Sequence, residues 1–314
     1  METLFSWHLT YLDPVTSKEK MEKELVTWFN MLNKPPLEYL KGVEDFYNAY
    51  GEVLEMQDRH AHLLSYKDDD HLCVMLCASL LHRYRESEIE ALKELLVKFY
   101  YQDWVAGQTK TTRSQTCCNI INALKEKKSI ENIASIVKKY FKDKNITQRF
   151  KENLKDDHLY EKHKKASKNS WLKPVLILME YSISDDPRPK RIEKNDFHVE
   201  HILPQQPGSS SQWVKDFSEE ERELYTHSLA NLTLLGGTKN AQASNLDFKD
   251  KKEIYMGHAV KLGKDKRGRE KPSKVMTCYK MTIDVATNYT EWTPKSLEKR
   301  KEELIKIIES VLTL

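Results

Sequence analysis

DFHVEHILPQ (residues 196–205) and LANLTLLGGTKNAQASN (residues 229–245) decide how this chain of 314 residues is read. The first segment sets two histidines and a glutamate within four positions and then stops on Pro204. Its alternation from Phe197 to Ile202 predicts a short strand that ends at Leu203-Pro204. On such a strand His198 and Glu200 share one face and His201 points to the other. Residues 232–235 predict a second short strand. Gly236-Gly237 then turns the chain, and Thr238 is placed to cap a short helix carrying Lys239, Asn240 and Ala241. About two dozen polar residues join the two segments. The order is strand, long connection, strand, helix. A divalent ion held between such a strand and helix would set a phosphate beside a histidine.

Outside this stretch the chain reads as helix. Glycine is scarce at 9 residues, while charged residues make up 32% and hydrophobic ones 39%, a composition that favours helices and is far from disorder. Residues 1–17 read as an irregular lead-in. Apolar residues at three- and four-residue steps predict helices over 17–32, 37–54, 71–84, 89–105, 113–127, 129–141, 147–154 and 171–181. Asp68-Asp69-Asp70 supplies cap chemistry for the third, and a Ser87 capping box for the fourth. Residues 157–170 are charged and ambiguous. Residues 182–195, SISDDPRPKRIEKN, read as a linker, which divides the chain at 1–181 and 182–314. Further helices are predicted over 247–262, from Val275 to Val285, and over 293–312, the last opening on Thr293-Pro294. The expected class is therefore mainly α, a helical bundle followed by a second domain built around the central stretch.

Composition narrows the function. No apolar run approaches the ~20 residues that span a bilayer, and the N-terminus lacks a basic-then-apolar signal layout, so no membrane partner and a cytoplasmic location are expected. Five cysteines without paired spacing read as structural thiols. The net charge of +3 says little about nucleic acid; clustering matters more. Across residues 261–274, seven Lys/Arg face two acids. Lys264, Lys266, Arg267 and Arg269 in that segment are candidates to track a phosphate backbone, with salt-dependent affinity. Lys239, Lys249 and Asn245 are further candidates, and Arg188-Pro189-Lys190-Arg191 forms a second basic patch. A solvated loop accounts for the basic segment equally well. No base-reading motif occurs.

Over roughly residues 196–255 the layout resembles the HNH, or ββα-metal, nucleases. Glu200-His201-Ile202 with Pro204 matches the acidic residue–His–Ile–x–Pro signature. Asn231 in LANLTLL matches the middle asparagine, and Asn240 in TKNAQASN the third position. HVEHILPQ followed by LANLTLLGGTKN resembles in particular the C-terminal nuclease half of GmrSD-type modification-dependent restriction proteins. Phosphorothioate-sensing SspE-like defence proteins share that architecture. The resemblance implies a ββα-metal core among C-terminal helices. It also implies an endonuclease that nicks or cleaves phage or foreign DNA in bacterial restriction-type defence. It casts His201 as the general base, and Glu200 and Asn240 as ligands of Mg²⁺ (or Mn²⁺). Asn231 would hold the loop that directs His201, and His198 would be a further ligand or a phosphate contact.

Two departures bear on that reading. Asparagine stands where many members carry a third histidine, which leaves the ligand set open. The Asp-Gly-Gln-Gln-Arg motif of the N-terminal nucleotide-binding half is absent, as is any GxxxxGK[ST] loop. An NTP-dependent half, in the same protein or in a separate subunit, is therefore an expected partner besides DNA. One ββα site cuts one strand, so a double-strand break would call for a homodimer or two encounters. A non-catalytic helical DNA-binding or assembly module with a degenerate nuclease site is the alternative; retention of both Glu200 and His201 speaks against it. RNA as substrate suits the same residues.

Overall fold

Short polar caps and apolar runs divide the first half of the chain into helices. The computed structural model describes residues 2–16, 23, 26, 27, 30, 35–165, 170–186, 188–258 and 275–314. The basic segment 261–274, and with it Lys264, Lys266, Arg267 and Arg269, lies outside the described residues, as does most of 17–32. The chain divides into two compact units, Met1–Phe150 with Leu312–Leu314, and Lys151–Val311.

The first unit contains α1 (Glu2–Leu12), α2 (Pro36–Leu54), α3 (Arg59–Ser65), α4 (Asp70–Leu81), α5 (Glu86–Val105), α6 (Lys110–Lys125) and α7 (Ile130–Asp143), and α8 (Ile146–Leu154) crosses its boundary. The expected aspartate cap is in place: Asp69 accepts from the His71 amide. Ser129 likewise accepts from the Asn132 amide. The Ser87 capping box is not formed: Ser87 lies inside α5, Arg85 is the N-cap residue, and Glu88 accepts from the Arg85 amide at 2.8 Å. The lead-in is not irregular: α1 forms because His8, Leu9 and Thr10 are buried and Trp7 Nε1 donates to Asp70 Oδ1 at 3.0 Å. The apolar helix α4 packs beside a buried charge cluster. Arg113 donates to Asp69 and, at 2.9 Å, to Asp103 Oδ2, while Tyr140 donates to Asp103 Oδ1 at 2.6 Å. Each buried charge is thus paired, as a dry interior requires.

In the second unit α9 (Leu159–Lys165) and α10 (Leu172–Ser182) precede β1 (His198–His201). β1 pairs antiparallel with β2 (Leu232–Leu235), with His198 opposite Leu235, Glu200 opposite Thr233 and His201 opposite Leu232. The polar connection between them is not a plain loop: it folds into α11 (Gln212–Asp216) and α12 (Glu219–Tyr225), the latter started by a Ser218–Glu221 capping box. Trp213 and Phe217 from this connection are buried in a core shared with Ile202, Leu203 and Tyr255. After β2 come α13 (Gly237–Ala243), α14 (Phe248–Met256), α15 (Lys280–Asn288) and α16 (Pro294–Leu312). α13 starts earlier than expected, with Gly236 rather than Thr238 at its N-cap.

The divide falls at residues 150 and 151 rather than at 181. α10 shows why. Its buried Glu180 accepts from the Lys280 amide at 2.6 Å and the Met281 amide at 2.9 Å, which caps α15 from a hundred residues away. The apolar 171–181 segment is therefore part of the second unit, despite the charged linker that follows it.

Candidate active site

A cavity of about 600 Å³ lies in the second unit, against β1 and α13. His198, Val199, Glu200 and His201 all line it, together with Asn240, Ser244 and Asn245. Alternation along β1 would separate His201 from the other two. All three nevertheless line the cavity. Tyr160, His163, Lys164 and Lys173 also line it.

His201 is buried. Its Nδ1 lies 3.4 Å from Gln205 Nε2, and its Nε2 is buried without a hydrogen-bond partner. The Tyr160 ring meets it edge-on at 4.3 Å and the His227 ring at 5.5 Å. Burial, followed by the positive charges of His227, Lys251 and Lys164, pushes its pKa down to about 3. The imidazole is accordingly neutral at pH 7.

Glu200 is buried and has two donors on one oxygen. Lys251 Nζ and Tyr255 OH each reach Oε1 at 2.8 Å. Burial raises the carboxyl pKa, and the Lys251 ammonium opposes that shift. Lys251 also donates to the His201 carbonyl at 2.7 Å. The sequence marks neither Lys251 nor Tyr255 as a site residue; Tyr255 reads there only as an apolar position of the 247–262 helix.

Asn240 extends from α13, and its Oδ1 is buried without a partner. Asn231 is wholly buried, and every hydrogen-bonding position of its amide is used. Oδ1 accepts from the Leu203 amide at 2.7 Å and Trp292 Nε1 at 3.2 Å; Nδ2 donates to Leu203 O at 2.8 Å and Thr226 O at 2.9 Å. Asn231 is therefore packed behind the cavity and does not line it. His198 is exposed, and its ring lies where a Gly237 side chain would be, 3.2 Å from an added Cβ.

The expected phosphate contacts are placed less uniformly. Lys239 donates to Ile254 O at 2.6 Å and does not line the cavity. Lys249 is exposed and also stands outside it. The cationic side chains on the cavity wall are instead Lys164, Lys173 and Lys194, which no motif marks.

Among the described residues, Asp58, His60 and Glu90 bring three potential ligand atoms within 4.8 Å of one another; His198, Glu200 and His201 do not form such a group. The first cluster already holds a cation: Lys93 Nζ pairs with Asp58 and lies 2.6 Å from Glu90 Oε2. At the cavity, Glu200 Oε1 is instead drawn toward Lys251 and Tyr255. No described helix is long and apolar enough to cross a membrane.

No curated protein matches the chain. A model of the family described as "GmrSD restriction endonucleases, C-terminal domain" matches residues 144–307, just over half of the 314 residues. Every residue lining the cavity falls inside that match. The chain belongs to the family of GmrSD restriction endonuclease C-terminal domains.

Proposed function

We propose that the chain is a metal-dependent HNH endonuclease that hydrolyses DNA phosphodiester bonds in restriction-type defence in the bacterial cytoplasm. One observation carries this reading. A neutral buried histidine, a buried carboxylate and a carboxamide oxygen without a partner stand on the wall of one cavity, at the end of β1 and on the helix that follows β2.

Each residue then has a role. His201 is the general base; burial keeps its imidazole neutral and able to take a proton from water. Gln205 Nε2, 3.4 Å from Nδ1, marks where a donor approaches the ring. Asn231 fixes Leu203 and thereby the chain just beyond His201. Glu200 and Asn240 offer the hard oxygen donors that Mg²⁺ or Mn²⁺ takes, and Asn240 Oδ1 has no other partner, so these residues fit such an ion. His198 stands beside them as a further ligand or a phosphate contact. When bound, the ion supplies positive charge to the phosphate and the leaving oxygen.

DNA would lie across the cavity mouth, its backbone met by Lys164. The exposed Lys249 and the basic segment 261–274, which lies outside the described residues, are further candidates for phosphate contact. These contacts give affinity without sequence choice. Recognition of a modified base or a phosphorothioate then belongs to a nucleotide-dependent half or subunit. A homodimer would supply the second cut of a double-strand break.

Incubation of the protein with supercoiled plasmid, linear single-stranded DNA and RNA tests this, each with Mg²⁺, with Mn²⁺ and with excess chelator. Nicked or linear plasmid is expected only with the metal. Intact plasmid under all conditions would overturn the reading, and cleavage of RNA alone would correct its substrate.

A further inference from the structure

We infer that Lys251 and Tyr255 are positioning residues of this site, holding Glu200 and tying it to His201 from the side away from the cavity. The inference rests on the nuclease reading above. The Lys251 side chain is 0% exposed. A fully buried ammonium needs a partner, and one carboxylate would suffice for a structural ion pair. Here the same Nζ also holds the main-chain carbonyl of His201, the residue next to Glu200. A second donor, Tyr255 OH, lands on the same Oε1.

Lys251 and Tyr255 are one turn apart on α14, so a single helix face delivers both donors. Neither lines the cavity. They do not reach a substrate and act only through their neighbours. Their convergence on one oxygen fixes the rotamer of Glu200, while the bond to the His201 carbonyl fixes the end of β1. Glu200 and His201 are adjacent in sequence but have different tasks in the proposed reaction. One lysine that grips both sets the separation between them. Partners behind a metal ligand typically change affinity or activity by 10–100-fold when removed.

Lys251→Met and Tyr255→Phe in the full chain test the inference. Two readouts are compared: the kcat and KM for plasmid nicking with Mn²⁺, and the Mn²⁺ Kd by titration calorimetry without DNA. Lys251→Met is expected to lower kcat by about 10–100-fold and weaken Mn²⁺ by about tenfold, with KM within about twofold. Tyr255→Phe leaves no buried charge unpaired and is expected to shift kcat and Kd in the same direction, each by at least about threefold. A purely structural role would instead lower both signals in proportion to the unfolded fraction seen by circular dichroism. If the folded variants keep the wild-type kcat, or bind Mn²⁺ as tightly as wild type, the inference is overturned. If Lys251→Met does not fold, Tyr255→Phe decides by the same two readouts. A wild type that neither cleaves nor binds Mn²⁺ overturns the nuclease reading itself, and this inference with it.

Discussion

Asn231 shows how much one side chain can hold. Its amide satisfies the Leu203 amide, the Leu203 and Thr226 carbonyls and the Trp292 indole, all out of water. Truncation leaves several buried groups unpaired, each worth about 1–3 kcal/mol. Asn231→Ala is therefore expected to cost at least about 3 kcal/mol in urea unfolding, and a loss under about 1 kcal/mol would contradict this picture. Asn231 is visible in the sequence through its place in LANLTLL, as Glu200, His201 and Asn240 are through theirs. Lys251 and Tyr255 are not. Their partners lie about fifty residues away, and nothing in the predicted 247–262 helix singles out either residue. Tyr160, edge-on to His201, is hidden for the same reason in the ambiguous segment 157–170.

At the scale of elements, periodicity finds long helices and misses short ones. α5, α7 and α16 follow from their apolar spacing, although α5 starts at Glu86 and not at the Ser87 box. α1 is misread because its burial comes from contacts with distant helices, and α11 and α12 because five- and seven-residue helices carry too few turns to show a period. Two glycines carry specific tasks. Gly257 ends α14 with φ 81°, and an added Cβ would lie 2.5 Å from the backbone of Val275 and Met276. Gly257→Ala combines a left-handed backbone with a collision against main chain, and is expected to destabilise by more than about 2 kcal/mol. A shift under about 0.5 kcal/mol in urea unfolding would show that the 275–276 segment passes elsewhere. Gly237 meets only the exposed His198 ring, which can yield. Gly237→Ala is expected to leave stability within about 1 kcal/mol of wild type, since helix propensity offsets the contact. A larger loss would mean that His198 is held rigidly.

For the whole molecule, burial of three histidines makes folding sensitive to acid. Burial pushes His8 and His163 down to about 4, and His201 lower still. In each case the unfolded chain, near 6.5, binds the proton first, so stability falls as the pH drops below about 6.5 and keeps falling until the folded group titrates. His8 is 2% exposed among Tyr39 and Phe46. Relative to His8→Phe, wild type is expected to lose up to about 1 kcal/mol per pH unit between pH 6.5 and pH 4, measured by urea unfolding. A difference that stays flat with pH would mean that the folded protein admits a proton at His8. The division into two units was only partly readable, because the linker after residue 181 is conspicuous while the Glu180 cap on α15 is a long-range contact. In the proposed reaction His201 takes the proton from the attacking water. The most direct test of this role is the single-turnover rate of plasmid nicking with Mg²⁺ by wild type and by His201→Ala, both verified as folded. The expected result is metal-dependent nicking by wild type and a loss of about 100-fold or more in the variant; equal rates in the two proteins would contradict it.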